Sequence, residues 1–204
     1  MTADPGRLTV VPANEASWAD LTTVFGTADA GRCRCQRFKV VGWVWRDTTP
    51  AGRIEAQRAQ TACGRPRSDV TSGLVAYLDG APAGWVAVEP RTAYPKLRGL
   101  RVPWTGRAED KDDDGVWAVT CFVIGRGYRG RGLMYPLARA AVDFARDRGA
   151  RAVEAYPMIT EPGRVITWGE LHVGARQAFE EAGLTQVTHP TPRRVVMRID
   201  FDQP

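Results

Sequence analysis

The stretch Val116-Trp-Ala-Val-Thr-Cys-Phe-Val-Ile124, followed at once by Gly125-Arg-Gly-Tyr-Arg-Gly-Arg-Gly-Leu133, decides the fold. Its first half is apolar at almost every position, which predicts a strand covered on both faces. Its second half is glycine and arginine punctuation. Beyond it, Leu137, Ala138, Ala141, Val142 and Ala145 recur at helical spacing, one buried stripe of a helix that Gly149 ends. A buried strand, a glycine turn and a helix make a frame for holding an anion. The first N–H groups of a helix have no partner within it and carry the positive end of its dipole. Glycines let that backbone approach phosphate oxygens closely, and Arg126, Arg129 and Arg131 add charge.

Two familiar phosphate motifs do not fit. No Gly-Lys-Ser or Gly-Lys-Thr follows the turn, so a nucleotide-hydrolysing loop is excluded. Gly125, Gly127 and Gly130 match a dinucleotide fingerprint, but the acidic partner would have to be Asp147 or Glu154, and the neighbouring strands are not a parallel set.

Upstream, Ser72 to Leu78 and Pro82 to Val88 flank Asp79-Gly80-Ala81 as a hairpin, and Arg91 to Asp114 is a long polar connection. Leu8 to Pro12 reads as a strand, Ala13 to Phe25 as a helix capped by Asn14, and Thr49 to Cys63 as a helix with Pro50 in its first turn. Gly31 to Asp47 is aromatic and basic without a clear period. Downstream come a strand at Ala152 to Tyr156, one last helix through Leu171, Ala175, Ala178, Phe179 and Ala182, and strands at Thr185 to Val187 and Val195 to Phe201. The fold class expected is mixed α/β: one domain over 1–204, with a variable helical part at 1–65 and a core at 70–201.

Composition bounds the function. The 204 residues carry 28 Lys plus Arg against 23 Asp plus Glu, a net charge of +5 that suits an anionic partner without naming one. No basic segment followed by an apolar run opens the chain, and the longest apolar run is far too short to span a bilayer. Four cysteines, at 33, 35, 63 and 121, are too few for a disulfide framework, so a cytoplasmic location is expected. Cys33, Cys35 and Cys63 lack the spacing of a zinc site. Asp110, Asp112 and Asp114 imitate half a calcium loop whose last ligand position is Cys121. No metal is expected. Trp43, Trp45, Arg46 and Lys39 are a weak sign of nucleic-acid stacking, and aromatic residues near a substrate mouth explain them as well.

Strand residues Cys121 to Ile124, then Tyr128-Arg-Gly-Arg-Gly-Leu133, then the long helix, resemble the acyl-CoA motif of the GCN5-related N-acetyltransferases. Arg129 takes the motif's first position and Gly132 its fixed glycine, while Met134 departs from the small residue at its end. Glu181-Ala-Gly-Leu184 and the hairpin ending in Gly84-Trp-Val-Ala-Val88 resemble further parts of the family. The resemblance implies a central, mostly antiparallel sheet with splayed strands and flanking helices, with acetyl-CoA as acyl donor. It implies that the backbone of Phe122, Val123 and Ile124 pairs with the pantetheine arm. It further implies that Arg129, Gly130, Arg131, Gly132, Leu133, Met134 and Tyr135 hold the pyrophosphate, and that His172 touches the cofactor. Pro136 should distort or delay the first turn of the helix.

The resemblance also implies the chemistry. Acyl transfer to an amine needs a neutral amine, a donor for the developing oxyanion and a proton for the leaving thiolate. The N–H of Ile124 is the implied oxyanion donor. Glu154 occupies the strand position of a catalytic glutamate, and its alternative is pairing with an arginine on a neighbouring strand. Phe179 stands where the family carries a proton-donating tyrosine, which leaves Tyr156, Tyr135 or water for that task. The activity implied is transfer of an acetyl group to a primary amine by direct attack. The alternative is a non-catalytic acetyl-CoA-binding module. The partners expected are acetyl-CoA and an amine, with no nucleic acid and no membrane, and with a homodimer left open. The first 65 residues and Arg91 to Asp114 should build the substrate mouth.

Overall fold

The structure, a computed structural model, describes residues 7–161, 163 and 165–201. In chain order its elements are β1 (Leu8–Pro12), α1 (Trp18–Val24), α2 (Ala28–Cys33), α3 (Gly42–Asp47), α4 (Pro50–Thr61), β2 (Gly73–Leu78), β3 (Ala81–Pro90) and β4 (Val116–Ile124). Then follow α5 (Met134–Asp147), β5 (Ala152–Ala155), α6 (Trp168–Leu171), α7 (Arg176–Glu181), β6 (Thr185–Thr191) and β7 (Arg194–Asp200). The strands form one sheet in the order β1-β2-β3-β4-β5-β7-β6. Every neighbouring pair is antiparallel except β4 and β5, which run parallel from Val116 opposite Ala152 to Val119 opposite Ala155. The mixed α/β class with a mostly antiparallel sheet is therefore what the chain adopts.

The local chemistry explains each boundary. In the β2–β3 hairpin Asp79 (φ 51°) and Gly80 (φ 79°) both have positive φ, the turn that matches the twist of two antiparallel strands. Thr49 caps α4 by accepting the N–H of Gly52 at 3.0 Å, with Pro50 in the first turn, where no N–H partner is needed. The stripe Leu137, Ala138, Ala141, Val142 and Ala145 of α5 is buried against β2, β3 and β4, and Gly149 (φ 80°) ends the helix region. Pro136 is the third residue of α5, inside the turn whose N–H groups lack intrahelical partners, so the helix starts at Met134 in spite of it.

Three expectations need correction. Helix α1 starts at Trp18, because Ser17 accepts the N–H of Asp20 at 3.0 Å; Asn14 is buried, and its side-chain amide donates to the Ser68 carbonyl at 3.0 Å. The single last helix is two: Gly174 (φ 90°) breaks it between α6 and α7. The connection 91–114 is not merely polar, since it folds into short 3-10 turns at Arg91–Ala93 and Pro95–Gly99 that bury Tyr94 and Leu97.

Strand β4 is covered on both faces, as its composition predicts. Phe122 packs with Leu137 and Phe179 on the α5 side, and Val123 packs with Phe25 and Trp85 on the α1 side. No described helix is long and apolar enough to cross a membrane.

Candidate active site

Strand β4 has nine residues and β5 four, and their ladder ends at Val119 and Ala155. Past that point β4 runs on without β5 beside it. The N–H of Phe122 donates to the carbonyl of His172 at 2.6 Å, so the segment after α6 fills the first part of the gap. Peptide groups alternate along a strand. Because Gly125 N–H donates to Ala83 of β3 at 2.9 Å, Val123 also directs its peptide to β3, and Ile124 directs its N–H into the gap. This narrows the expectation for β4: the N–H of Phe122 is already bonded and Val123 faces β3, which leaves the N–H of Ile124 and the carbonyl of Phe122 on the gap side.

Next to that edge lies the glycine turn. Arg126–Tyr128 form a 3-10 turn, and Gly130 (φ 75°) and Gly132 (φ 72°) take left-handed backbone that leads into α5. A cavity of about 290 Å³ opens here, lined by Phe122, Ile124, Tyr128, Arg129, Gly130, Gly132, Leu133 and Met134 on one side and by Ile166, Trp168, Leu171 and His172 on the other. A Cβ on Gly130 would meet no protein atom within 4 Å. The space beside that glycine is thus open to a ligand. Arg129 Nε donates to the Ile124 carbonyl at 3.3 Å, and the Arg131 guanidinium lies 5.8 Å from the Tyr128 ring centre. Met134, the residue that departs from the family motif, accepts the N–H of Ala175 on its sulfur at 3.3 Å and so fixes the start of α5 against α7. Tyr135 and Arg131 are exposed and, like Val123, do not line the cavity.

His172 forms part of that wall and also of a second cavity, of about 250 Å³. Its Nδ1 is 3.0 Å from the Gly169 carbonyl. A carbonyl only accepts, so Nδ1 carries the proton and Nε2 bears a lone pair. Nε2 is buried with no partner among the described residues, and so is the indole Nε1 of Trp168. Burial, with Arg37 next in size, pushes the imidazole pKa down to about 4. The ring is neutral at physiological pH. It packs on Trp168 at 5.5 Å and on Phe38 at 6.0 Å.

The second cavity draws Arg37 and Phe38 from the first 65 residues, and Lys96, Leu97, Leu100, Val102 and Pro103 from the 91–114 connection. Tyr156, Val173 and Arg194 complete it. The two segments expected at the substrate mouth thus meet in one wall. Arg37, Lys96 and Arg194 in this wall, and Trp168 in the first, each stand apart from any motif in the sequence, and only the fold brings them together.

Glu154 is not at either cavity. Its side chain is completely buried, and its carboxylate pairs with Arg107, with Arg198 at 2.8 Å and with Arg91 at 3.4 Å. It also accepts the Tyr156 hydroxyl at 3.0 Å. Both oxygens are taken. The role of base expected for Glu154 therefore gives way to its alternative, a carboxylate held by arginine, with Arg198 directly opposite it on β7. Tyr156 reaches the second cavity, but its hydroxyl is turned to Glu154. Burial first, and that carboxylate next, push its pKa well above the ordinary tyrosine value. It is a poor proton donor in this setting. Phe179 is completely buried against Phe122, ring centres 5.7 Å apart, and does not line the groove.

The four cysteines are free thiols. Among the described residues no cluster of His, Cys, Asp and Glu is arranged to hold a metal ion. Asp112 pairs with Arg98 and Asp113 with Arg151.

No curated protein matches this chain in sequence. Solved structures share its fold at low identity. An N-acetyltransferase from Staphylococcus aureus Mu50 superposes with a TM-score of 0.52 at 12% identity, covering 95% of this chain and 98% of its own. The aminoglycoside acetyltransferase AAC(6')-Ib, solved with coenzyme A, gives 0.51 at 19% identity, with 95% of each chain covered. The yncA protein of Salmonella typhimurium, solved with its cofactor acetyl-CoA, gives 0.50 at 15% identity, covering 97% of this chain and 95% of its own. The model of the acetyltransferase (GNAT) family matches residues 38–162, more than half of the chain. With the splayed β4–β5 pair and the glycine turn beside it, that match makes the chain a member of the acetyltransferase (GNAT) family.

Proposed function

We propose that this protein transfers the acetyl group of acetyl-CoA to a primary amine of a small molecule or peptide, by direct attack with both substrates bound. One observation carries the reading: two cavities, one against the glycine turn and one beside it, share His172 as part of both walls.

The residues present fit acetyl-CoA. A cradle of left-handed glycines that a Cβ at Gly130 would partly fill, the outward N–H of Ile124 and the unpartnered ring nitrogens of Trp168 and His172 all border one groove. When bound, the thioester supplies the activated acetyl group. The backbone N–H groups from Gly130 to Met134, with Arg129, hold the pyrophosphate, while the Tyr135 N–H is already donated to the Gly132 carbonyl at 3.1 Å. The Ile124 N–H pairs with the acyl end of the arm and offers the oxyanion a donor. The lone pair on His172 Nε2 accepts a hydrogen from the amine and orients it, because the Nδ1–H bond to Gly169 fixes the tautomer. Tyr128, the one tyrosine among the described groove-lining residues, has the hydroxyl that protonates the leaving sulfur. Four free cysteines favour a reducing cytoplasm as the place of action.

The alternative, a non-catalytic CoA-binding module, draws on one observation: the proton of Tyr156 is committed to Glu154. Thiol release on mixing the protein with acetyl-CoA and a panel of amines decides between them. Turnover of any amine that falls on His172→Gln supports the enzyme. CoA binding with no turnover across the panel supports the module.

A further inference from the structure

The second cavity has a charge pattern that the acetyl-transfer reading does not require. Arg37, Lys96 and Arg194 contribute cationic side chains to its wall, and no carboxylate of the described residues lines it. None of the three is ion-paired among the described residues: Glu170, the acid that acts on Arg194 through space, is paired with Arg193 at 2.7 Å, and Glu154, behind Tyr156, is held by Arg91, Arg107 and Arg198. Arg194 instead donates to the Tyr156 carbonyl at 3.0 Å. Burial comes first, then Arg193 and Arg37, in lowering the pKa of Arg194, and Arg37 and Arg194 both help to lower that of His172. Unpaired cations gathered around a concave site are complemented by an anion placed between them. The rest of the wall is apolar, from Phe38 along Leu97, Leu100 and Val102 to Pro103.

We infer that the second cavity is the acceptor site and takes a small amine that carries an anionic group, a carboxylate or a phosphate, on an apolar body. Arg37, Lys96 and Arg194 hold the anion, the apolar wall holds the body, and the amine is directed to His172. A polycationic amine is repelled by the same wall. The inference rests on the proposed acetyl transfer only for the direction in which the amine points; the anion site stands on the cavity itself.

Equilibrium binding to the CoA-saturated protein, measured by calorimetry, tests it. The probes are leucine and phenylalanine, their decarboxylated amines, phosphoethanolamine beside ethanolamine, and spermidine. At least one anionic amine should bind about tenfold or more tighter than its uncharged-tail counterpart. Spermidine should not bind. The amino-acid and phosphoethanolamine arms separate carboxylate from phosphate. Arg194→Gln should remove the preference, and Arg37→Gln, at an exposed position outside the packed core, should weaken it without a change in CoA affinity. Equal binding of the paired probes, or tighter binding of spermidine, overturns the inference. So does a loss of CoA affinity in either variant that matches the loss of anion binding, which would assign these cations to the phosphates of CoA. Anionic preference with no acetylation of any probe keeps the anion site and removes the acetyl-transfer reading instead.

Discussion

The backbone N–H of Phe122 and the carbonyl of His172, 2.6 Å apart, hold the end of β4 and the segment after α6 together across the gap that β5 leaves. This bond does not involve the imidazole. A side-chain substitution at 172 therefore leaves the strand contact in place and reports on the ring, with its bond to Gly169 and its packing on Trp168 and Phe38.

His172→Gln should lower kcat by about 10²-fold or more, the contribution expected of a positioned proton acceptor. The melting temperature should fall modestly, because the buried ring loses its packing on Trp168 and Phe38, so kcat is read at a temperature where the variant is folded. Steady-state rates with any accepted amine, read beside thermal unfolding, check this. A variant with full kcat removes His172 from the chemistry.

The same imidazole sets a pH dependence. Its folded pKa of about 4 lies below the ordinary 6.5, so between these values the unfolded chain binds the extra proton. The sign follows: this contribution to stability is complete above about pH 6.5 and is lost as the pH falls toward 4. Melting temperature measured from pH 7.5 to 4 should fall less steeply in His172→Gln than in the parent.

Glu154→Gln should act on stability and not on chemistry. Removing the carboxylate leaves Arg91, Arg107 and Arg198 facing one another in and around a buried site, a loss of about 3–5 kcal/mol for a broken buried pair. Chemical denaturation should show the loss, and kcat of the folded protein at low temperature should not change. A fall in kcat with stability retained would return Glu154 to the role of base.

Phe179→Tyr restores the hydroxyl found at this point of the family motif. The ring is fully buried beside Phe122 and does not line the groove, so the new hydroxyl has no water and no partner. The cost should be about 1–3 kcal/mol of stability, with no rise in kcat, by denaturation and rate measurements together.

Gly130→Ala should weaken CoA binding about tenfold or more while costing about 1–2 kcal/mol of stability, the strain of a Cβ in left-handed backbone. Because the added methyl meets no protein atom, any larger effect on binding comes from the ligand it displaces. Calorimetric titration with CoA measures the first quantity and thermal unfolding the second.

The sheet was legible where the pattern is local. Val116 to Ile124 reads as a strand buried on both faces from its composition alone, and Asp79-Gly80 reads as a hairpin because few other residues accept positive φ at both positions. The final helix misled because Leu171, Ala175, Ala178 and Ala182 keep helical spacing across Gly174. Spacing does not reveal that the chain turns there to pack Phe179 on Phe122. Glu154 shows the other limit. Its place on β5 is readable, but its partners come from three distant segments, and nothing near position 154 announces Arg91, Arg107 or Arg198. The groove followed from one continuous motif. The second cavity, assembled from five separated stretches, did not.

The ion cluster around Glu154 has a consequence for how the protein meets its second substrate. Arg91 and Arg107 belong to the connection between β3 and β4, and Arg198 to β7, so a single carboxylate on β5 moors that connection to the middle of the sheet. Leu97 to Pro103, which lie between the two moorings, cannot swing away from the sheet as a hinged flap. The acceptor must enter a berth whose outline exists before it arrives, and selection among amines falls to fit and charge rather than to closure of a lid.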